Sequence, residues 1–257
     1  MFASAEAYDR YVGRYGPALS RAHISAADVK LDDTVLDVGC GPGPLTTTLA
    51  ALVSAERVAA VDPSPEFVEA CKARVPGADV RVASAEELPD FGRRFDVVMS
   101  QLVVNFMSDA EAGVAAMREA ARAGGTVTSC VWDYADGMTM LRAFWDAALE
   151  LDAGAPDEGK TMRYCSPPEL EALWEGAGLD DVETRELVAE ADYEGFDDLW
   201  TPFLAGVGPA GAYVASLAPD RQNALRDAYF QRLGSPSGMF TLSARAWFVQ
   251  GTAHEVV

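Results

Sequence analysis

The stretch VLDVGCGPG, Val35 to Gly43, sets a carboxylate, Asp37, two residues ahead of three alternate glycines. An apolar run that ends in such a turn and passes into the helical pattern PLTTTLAALV presents backbone N–H groups and a positive helix N-terminus, because glycine puts no Cβ in a ligand's way. A second carboxylate, Asp62, closes the next apolar run 23 residues after Gly39, where an acid can accept both ribose hydroxyls of an adenosine. Gly39, Gly41 and Gly43 are spaced GxGxG, and Pro44 stands where a dinucleotide turn carries its third glycine, which disfavours a pyrophosphate. Asp37 would repel a diphosphate and hold a cationic amine. The ligand that suits both ends joins an adenosine to an ammonium.

With these residues the chain resembles the class I S-adenosylmethionine-dependent methyltransferases, and more closely their ubiquinone/menaquinone-biosynthesis-like small-molecule branch. The resemblance runs from about Tyr8 to Trp132: VLDVGCGPG is similar to the family's first motif, VAAVDPSPEFV to its second, ASAEELP to its adenine-contacting turn, and FDVVMSQLVVNFM to its fourth strand and substrate-side exit. It implies S-adenosylmethionine as cofactor, held by Asp37, Gly39, Cys40, Gly41, Gly43, Asp62, Pro63, Ser84, Ala85, Glu86 and Gln101. It also implies an N-terminal helical segment, residues 1–30, over the cofactor, in which Tyr11 and Arg14 of YDRYVGRYG meet the methionine carboxylate. Two departures stand out: Ser84 replaces the usual aspartate of the adenine turn, and Asn105 occupies a place where relatives often carry histidine.

Methyl transfer from a sulfonium requires alignment and exclusion of water more than it requires a base; orientation alone supplies about 7–11 kcal/mol. Candidates for proton removal are Asp133 and Tyr134, at the carboxyl end of the fifth strand, and His23, which reads as a surface or helix-end histidine. Asn105, Trp132, Tyr134, Trp200 and Phe203 are the candidate acceptor-binding residues. Trp132, Phe144, Trp145, Tyr193, Trp200, Phe203 and Tyr213 together suggest a lid.

The elements that must position these groups alternate. Apolar runs TVLDVG, RVAAVD, DVRVAS, FDVVMSQ and GTVTSCVW are separated by helical patterns, the signature of a parallel sheet wrapped by helices. VETRELVAE adds a strand, and FTLSARAWFVQ, with Phe240, Leu242, Ala244, Ala246 and Phe248 on one side, reads as an antiparallel closing strand. The expected fold is α/β, a Rossmann-like doubly wound seven-stranded sheet, mostly parallel with an antiparallel last strand. A single domain over 1–257 is expected, with helical cap insertions at 134–165 and 195–234, since no linker composition divides the chain.

Forty acidic against twenty basic residues, a formal net charge of −20, disfavour nucleic acid as a partner. No run approaches the roughly 18 apolar residues of a membrane span, and MFASAEAYDRYVGRYG lacks the order of a signal peptide, so a cytoplasmic protein without a membrane partner is expected. Cys40, Cys71, Cys130 and Cys165 form no CxxC or Cys/His cluster, so no metal site is indicated and buried thiols are expected. The sequence reading is methyl transfer from S-adenosylmethionine to a small, apolar or aromatic metabolite, without a dedicated base. The alternatives are a nicotinamide-dependent oxidoreductase and a cofactor-binding protein that transfers nothing. The acceptor and the oligomeric state are not legible.

Overall fold

The computed structural model describes residues 10–254. Its seven strands are β1 (Val35–Val38), β2 (Val58–Asp62), β3 (Asp79–Val82), β4 (Phe95–Gln101), β5 (Ala121–Trp132), β6 (Asp180–Tyr193) and β7 (Phe240–Thr252), in the sheet order β3-β2-β1-β4-β5-β7-β6. The pairs β1–β2, β1–β4, β2–β3 and β4–β5 are parallel. Gly124 N donates to Ala253 O at 2.7 Å, Ala253 N to Gly125 O at 2.9 Å and the Thr128 hydroxyl to Val249 O at 2.9 Å, so β7 runs antiparallel to β5, as expected. VLDV and VAAVD are buried throughout, which is why these strands read as near-continuous apolar runs and not as alternations.

The helices are α1 (Gly16–Ala26), α2 (Pro44–Val53), α3 (Pro65–Arg74), α4 (Ala110–Ala120), α5 (Thr139–Leu151), α6 (Pro167–Gly176), α7 (Phe196–Leu204), α8 (Gly208–Ser216) and α9 (Pro219–Arg232). Local chemistry starts several of them. Ser64 caps α3 by accepting from Phe67 N with Pro65 at the first helical position, and Asp109 caps α4 by accepting from Ala112 N at 3.0 Å. β5 begins at Ala121, earlier than GTVTSCVW suggests, because its register against β4 shifts between Phe95 and Val97 and the pairing absorbs an irregular start.

The chain divides into two compact units. A sheet unit comprises residues 16–131, 163–187 and 246–254, and an aromatic unit comprises residues 10–15, 132–162 and 188–245. The units interleave along the chain, so no linker stretch marks their border. In the sheet unit the chain enters at β1, builds outward to β3 and then returns to β4 on the other side of β1, which makes the β1/β4 boundary a topological switch point. Trp174 of α6 donates its indole N–H to Val127 O at 3.0 Å, fixing that helix on β5.

The aromatic unit is organised by ring packing. Phe144 of α5 stacks on Phe203 of α7 at 4.7 Å between centroids and meets Tyr229 of α9 edge-on at 5.7 Å, while the Tyr229 hydroxyl donates to Met140 O at 3.0 Å. Trp200 stacks on both Phe203 and Phe196. The N-terminal segment is described from Arg10, so Tyr8 lies outside the described residues; Val12–Tyr15 forms a 3₁₀ turn that leads into α1. Tyr15 is buried, its hydroxyl 3.0 Å from that of Tyr193. No helix among the described residues is long and apolar enough to cross a membrane.

Candidate functional site

At the switch point the carboxyl end of β1 delivers Asp37 into a buried position. Thr46, in the first turn of α2, donates to Asp37 Oδ2 at 2.6 Å, whereas Oδ1 has no hydrogen-bond partner among the described residues. Burial pushes the carboxyl up to about 7, with Thr46 opposing and the nearby Asp62 charge adding to the rise. A cation placed at Oδ1 would relieve this orphaned oxygen.

The glycine turn is pinned to β2 by Gly39 N and Cys40 N, which both donate to Val61 O at 2.8 and 2.9 Å. A Cβ on Gly39 would lie 2.5 Å from Val103 Cγ2, so only glycine permits that packing. Gly41, at φ +54°, differs: a Cβ there would meet nothing within 4 Å, and this is the open face of the turn. Its N–H donates to Asp62 Oδ2 at 2.9 Å, and Ser64 N donates to Oδ1 at 2.9 Å. Burial raises the Asp62 pKa while these two bonds hold it down. The carboxylate keeps further lone pairs for hydroxyl donors. Gly43 starts α2 with a left-handed φ of 97°, Cys40 is buried with its thiol 3.5 Å from Gly41 O, and Pro63 is exposed beyond Asp62.

Further along the same edge Ser84 is half-buried and Ala85 buried. Glu86 Oε1 accepts from Ser108 N at 3.0 Å and Asp109 N at 3.2 Å; burial works to raise its pKa, but these amides and the Ser84 hydroxyl bring it below the usual range. Glu86 therefore fastens the approach to α4. Gln101 ends β4 with its amide N–H donating to Ser20 Oγ of α1 at 3.0 Å, and its buried Oε1 has no partner among the described residues. Leu102 follows at φ +63°, a conformation costly for a non-glycine residue, and its N–H donates to Cys130 O at 2.8 Å. This turn carries Val103 toward Gly39 and leads to Asn105 in the 3₁₀ turn Val104–Phe106.

Other expected residues belong to the aromatic unit. Arg14 belongs to the aromatic unit, where its guanidinium donates to Asp198 at 3.0 and 3.2 Å, to Asp192 O and to Arg10 O, and lies over the Tyr193 ring. It is engaged by these partners. Tyr11 packs edge-on against Phe203 at 5.3 Å between centroids. Trp200 and Phe203 form the core of that unit, and Trp132 and Tyr134 are buried in it.

The candidates for proton removal are also committed. His23 is a fully buried residue in the last turn of α1 and not a surface one, because this helix face packs on Phe248 and on the β5 side chains. Thr128 spends its hydrogen on Val249 O, so His23 Nε2–H donates to Thr128 Oγ1 at 3.2 Å and Nδ1 faces the Cys130 thiol at 3.4 Å. Burial lowers the His23 pKa to about 3 against an opposing contribution from Gln101. Asp133 Oδ2 accepts from Arg245 Nε and Nη2 at 2.9 and 2.6 Å, and Oδ1 accepts from Asp136 N. All four cysteines are buried thiols.

Sequence reasoning missed Thr46, Val103 and Glu158. Thr46 and Val103 carry no chemical signature of their own and matter through what they touch. Glu158, in the Gly/Pro/acid-rich loop, is buried, and its Oε2 accepts from the Trp145 indole N–H at 2.9 Å. Burial pushes this carboxyl up to about 7, with Trp145 opposing and Asp157 adding. Only the need of a buried tryptophan for an acceptor could have pointed to it.

Residues 35–125 match the family described as Methyltransferase domain. A ubiquinone biosynthesis O-methyltransferase of Cereibacter sphaeroides is 32% identical over 161 residues, covering 60% of this chain and 63% of that one, so the chain spans under two thirds of the length of this relative. The YcgJ protein of Bacillus subtilis superposes with a TM-score of 0.55 at 16% identity over 94% of this chain and 99% of that one. A Haemonchus contortus phosphoethanolamine N-methyltransferase solved with S-adenosyl-L-methionine gives 0.56 at 14% over 93% and 53%. These two likenesses bear on fold alone. Within this strand order, residues 35–125 are therefore similar to a methyltransferase domain.

Proposed function

We propose that this protein transfers the methyl group of S-adenosylmethionine to a small apolar or aromatic metabolite. The observation that carries the reading is the buried, orphaned Asp37 Oδ1 beside a turn whose Gly41 face is open and whose N–H is bonded to Asp62. These residues fit the cofactor. Asp62 would accept the ribose hydroxyls on its remaining lone pairs, Asp37 would hold the ammonium, and the Gly39–Gly41 backbone would allow close approach. The bound cofactor supplies an electrophilic methyl group on a sulfonium.

What the chain's own residues contribute is binding and order. With His23 neutral inside the sheet unit and Asp133 tied to Arg245, neither serves proton transfer. The reading therefore relies on proximity and exclusion of water. The aromatic segments belong to this proposal as a water-excluding cap: amides of α5 and α7–α9 should exchange more slowly once S-adenosylhomocysteine and an acceptor analogue are present. The formal charge of −20 supports a small molecule over a nucleic acid.

Calorimetry with S-adenosylmethionine, followed by transfer of a labelled methyl group into a metabolite extract, tests the reading. Binding with turnover supports it; binding without turnover in any extract leaves a cofactor-binding protein; saturable binding of reduced nicotinamide cofactor in place of S-adenosylmethionine would replace it with an oxidoreductase.

A further inference from the structure

Two buried polar atoms of the aromatic unit, the Tyr11 hydroxyl and the Trp132 indole N–H, have no hydrogen-bond partner among the described residues. Their side chains are 3% and 1% exposed, so water does not serve them from the surface. Native interiors leave few such groups, and each one left unpaired costs about 1–3 kcal/mol. The same unit buries Glu158, which is 5% exposed and accepts one hydrogen bond, from Trp145.

Tyr11 and Glu158 are linked by packing. Tyr11 lies edge-on to Phe203, Phe203 stacks on Phe144, Phe144 lies edge-on to Trp145, and Trp145 holds Glu158. The turn carrying Glu158 also presses on residues 134–135, since a Cβ on Gly159 would stand 2.7 Å from Tyr134 O. Arg142 fixes that turn from α5 by pairing with Asp157 at 3.0 Å, and Asp157 in turn accepts from Gly159 N. Aromatic packing thus connects Tyr11 to the Glu158 carboxylate, and Trp132 lies edge-on to Tyr15 of the same unit at 5.8 Å between centroids.

We propose that Tyr11, Trp132 and Glu158 form a binding site, inside the aromatic unit, for the hydroxyl group of an aromatic ring. A hydroxyl both donates and accepts: it would donate to Glu158 and accept from the Tyr11 hydroxyl or the Trp132 N–H, an inventory that the indole alone or the carboxylate alone cannot satisfy. Phe144, Phe203 and Trp145 supply the apolar walls that favour a ring. The electrostatics agree with this division of roles. Burial, reinforced by Glu158, Tyr134 and Tyr193, holds the Tyr11 hydroxyl protonated and able to donate. Identifying the bound ring with the methyl acceptor rests on the proposed activity; the site itself does not.

The test uses the full chain, without methyl donor, titrated with 4-methylphenol and with its hydroxyl-free counterpart 1,4-dimethylbenzene, read by tryptophan fluorescence and calorimetry. Wild type should prefer the phenol by about tenfold or more, the size of one well-made hydrogen bond. Tyr11→Phe and Glu158→Gln should each remove most of that preference, and Tyr11→Phe should melt no lower than wild type, because it deletes an unpaired hydroxyl. Equal affinity for the two probes, no saturable binding of either, or a preference that survives Tyr11→Phe overturns the site. Should Glu158→Gln fail to fold, Tyr11→Phe decides alone. Calorimetry with S-adenosylhomocysteine on the same preparations separates the two readings: binding of that ligand with no phenol preference sinks this site only, and the converse sinks the proposed activity only.

Discussion

The two units solve the problem of buried polar groups differently. At the edge of the sheet unit the carboxylates are served by backbone amides and hydroxyls close by in sequence: Asp62 takes Gly41 N across 21 residues and Ser64 N across two, and Asp37 takes Thr46 across nine. In the aromatic unit pairings such as that of the Tyr15 and Tyr193 hydroxyls reach across 178 residues, and two donors are left without partners among the described residues, as Asp37 Oδ1 and Gln101 Oε1 are in the sheet unit. Short-range wiring gives a site that a motif can announce. Long-range wiring gives one that only the folded chain reveals.

The comparison breaks first, and most severely, at the ring core. Phe203→Ala should destabilise the aromatic unit by about 3–5 kcal/mol through the cavity left among Phe144, Trp200 and Tyr229, measured by denaturant unfolding. A loss under about 1 kcal/mol would mean that these rings do not share a core. Next in size, Asp62→Ala should weaken S-adenosylmethionine binding by roughly 1.5–3 kcal/mol, and Gly41→Val should do at least as much by filling the open face of the turn. Unchanged affinity in both variants would detach the glycine turn from the cofactor.

Acid and alkali should separate the units more gently. His23 has a folded pKa of about 3 against 6.5 when exposed, so the unfolded chain binds the extra proton and stability falls as pH drops from about 6.5 toward 3. Glu158 has the opposite sign: at about 7 against 4.5, the folded state keeps its proton longer, and stability falls as pH rises from about 4.5 through 7. Melting temperatures across that range should therefore lose their acid-side fall in His23→Gln and their neutral-side fall in Glu158→Gln. An unaltered profile in either variant would show that the group titrates normally in the folded state. The smallest effect expected is on the stability of Tyr11→Phe, within about 0.5 kcal/mol of wild type or above it, since no protein hydrogen bond is lost.

The strand order, the glycine turn and Asp62 were legible because each is encoded by contiguous residues whose types and spacing have one inexpensive structural solution. The burial of His23 was not: HISAAD has no apolar run around it, and only the arrival of Phe248, Thr128 and Cys130 against one helix face encloses the ring. Arg14 reads equally well as a ligand for a carboxylate of the cofactor or of the protein, and Asp198, far along the chain, is the partner it meets. Glu158 was hidden for the same reason, since PDEGK has the composition of a solvated loop and its carboxylate is drawn inward by the indole of Trp145. The border between the units leaves no mark in the composition because β6 and β7 each belong partly to one and partly to the other.

That interleaving constrains how the molecule can be made. The aromatic unit needs residues 10–15 together with 188–245, and the sheet unit needs 16–131 together with 246–254. A nascent chain emerging at about 5–20 residues per second therefore holds an open β5 edge for the many seconds before β7 is synthesised, and neither unit can be completed while the other is still unwritten. Excising either unit as a continuous fragment is impossible, and a stalled chain ending before β7 would expose the Val127–Val131 edge to pairing with a neighbour.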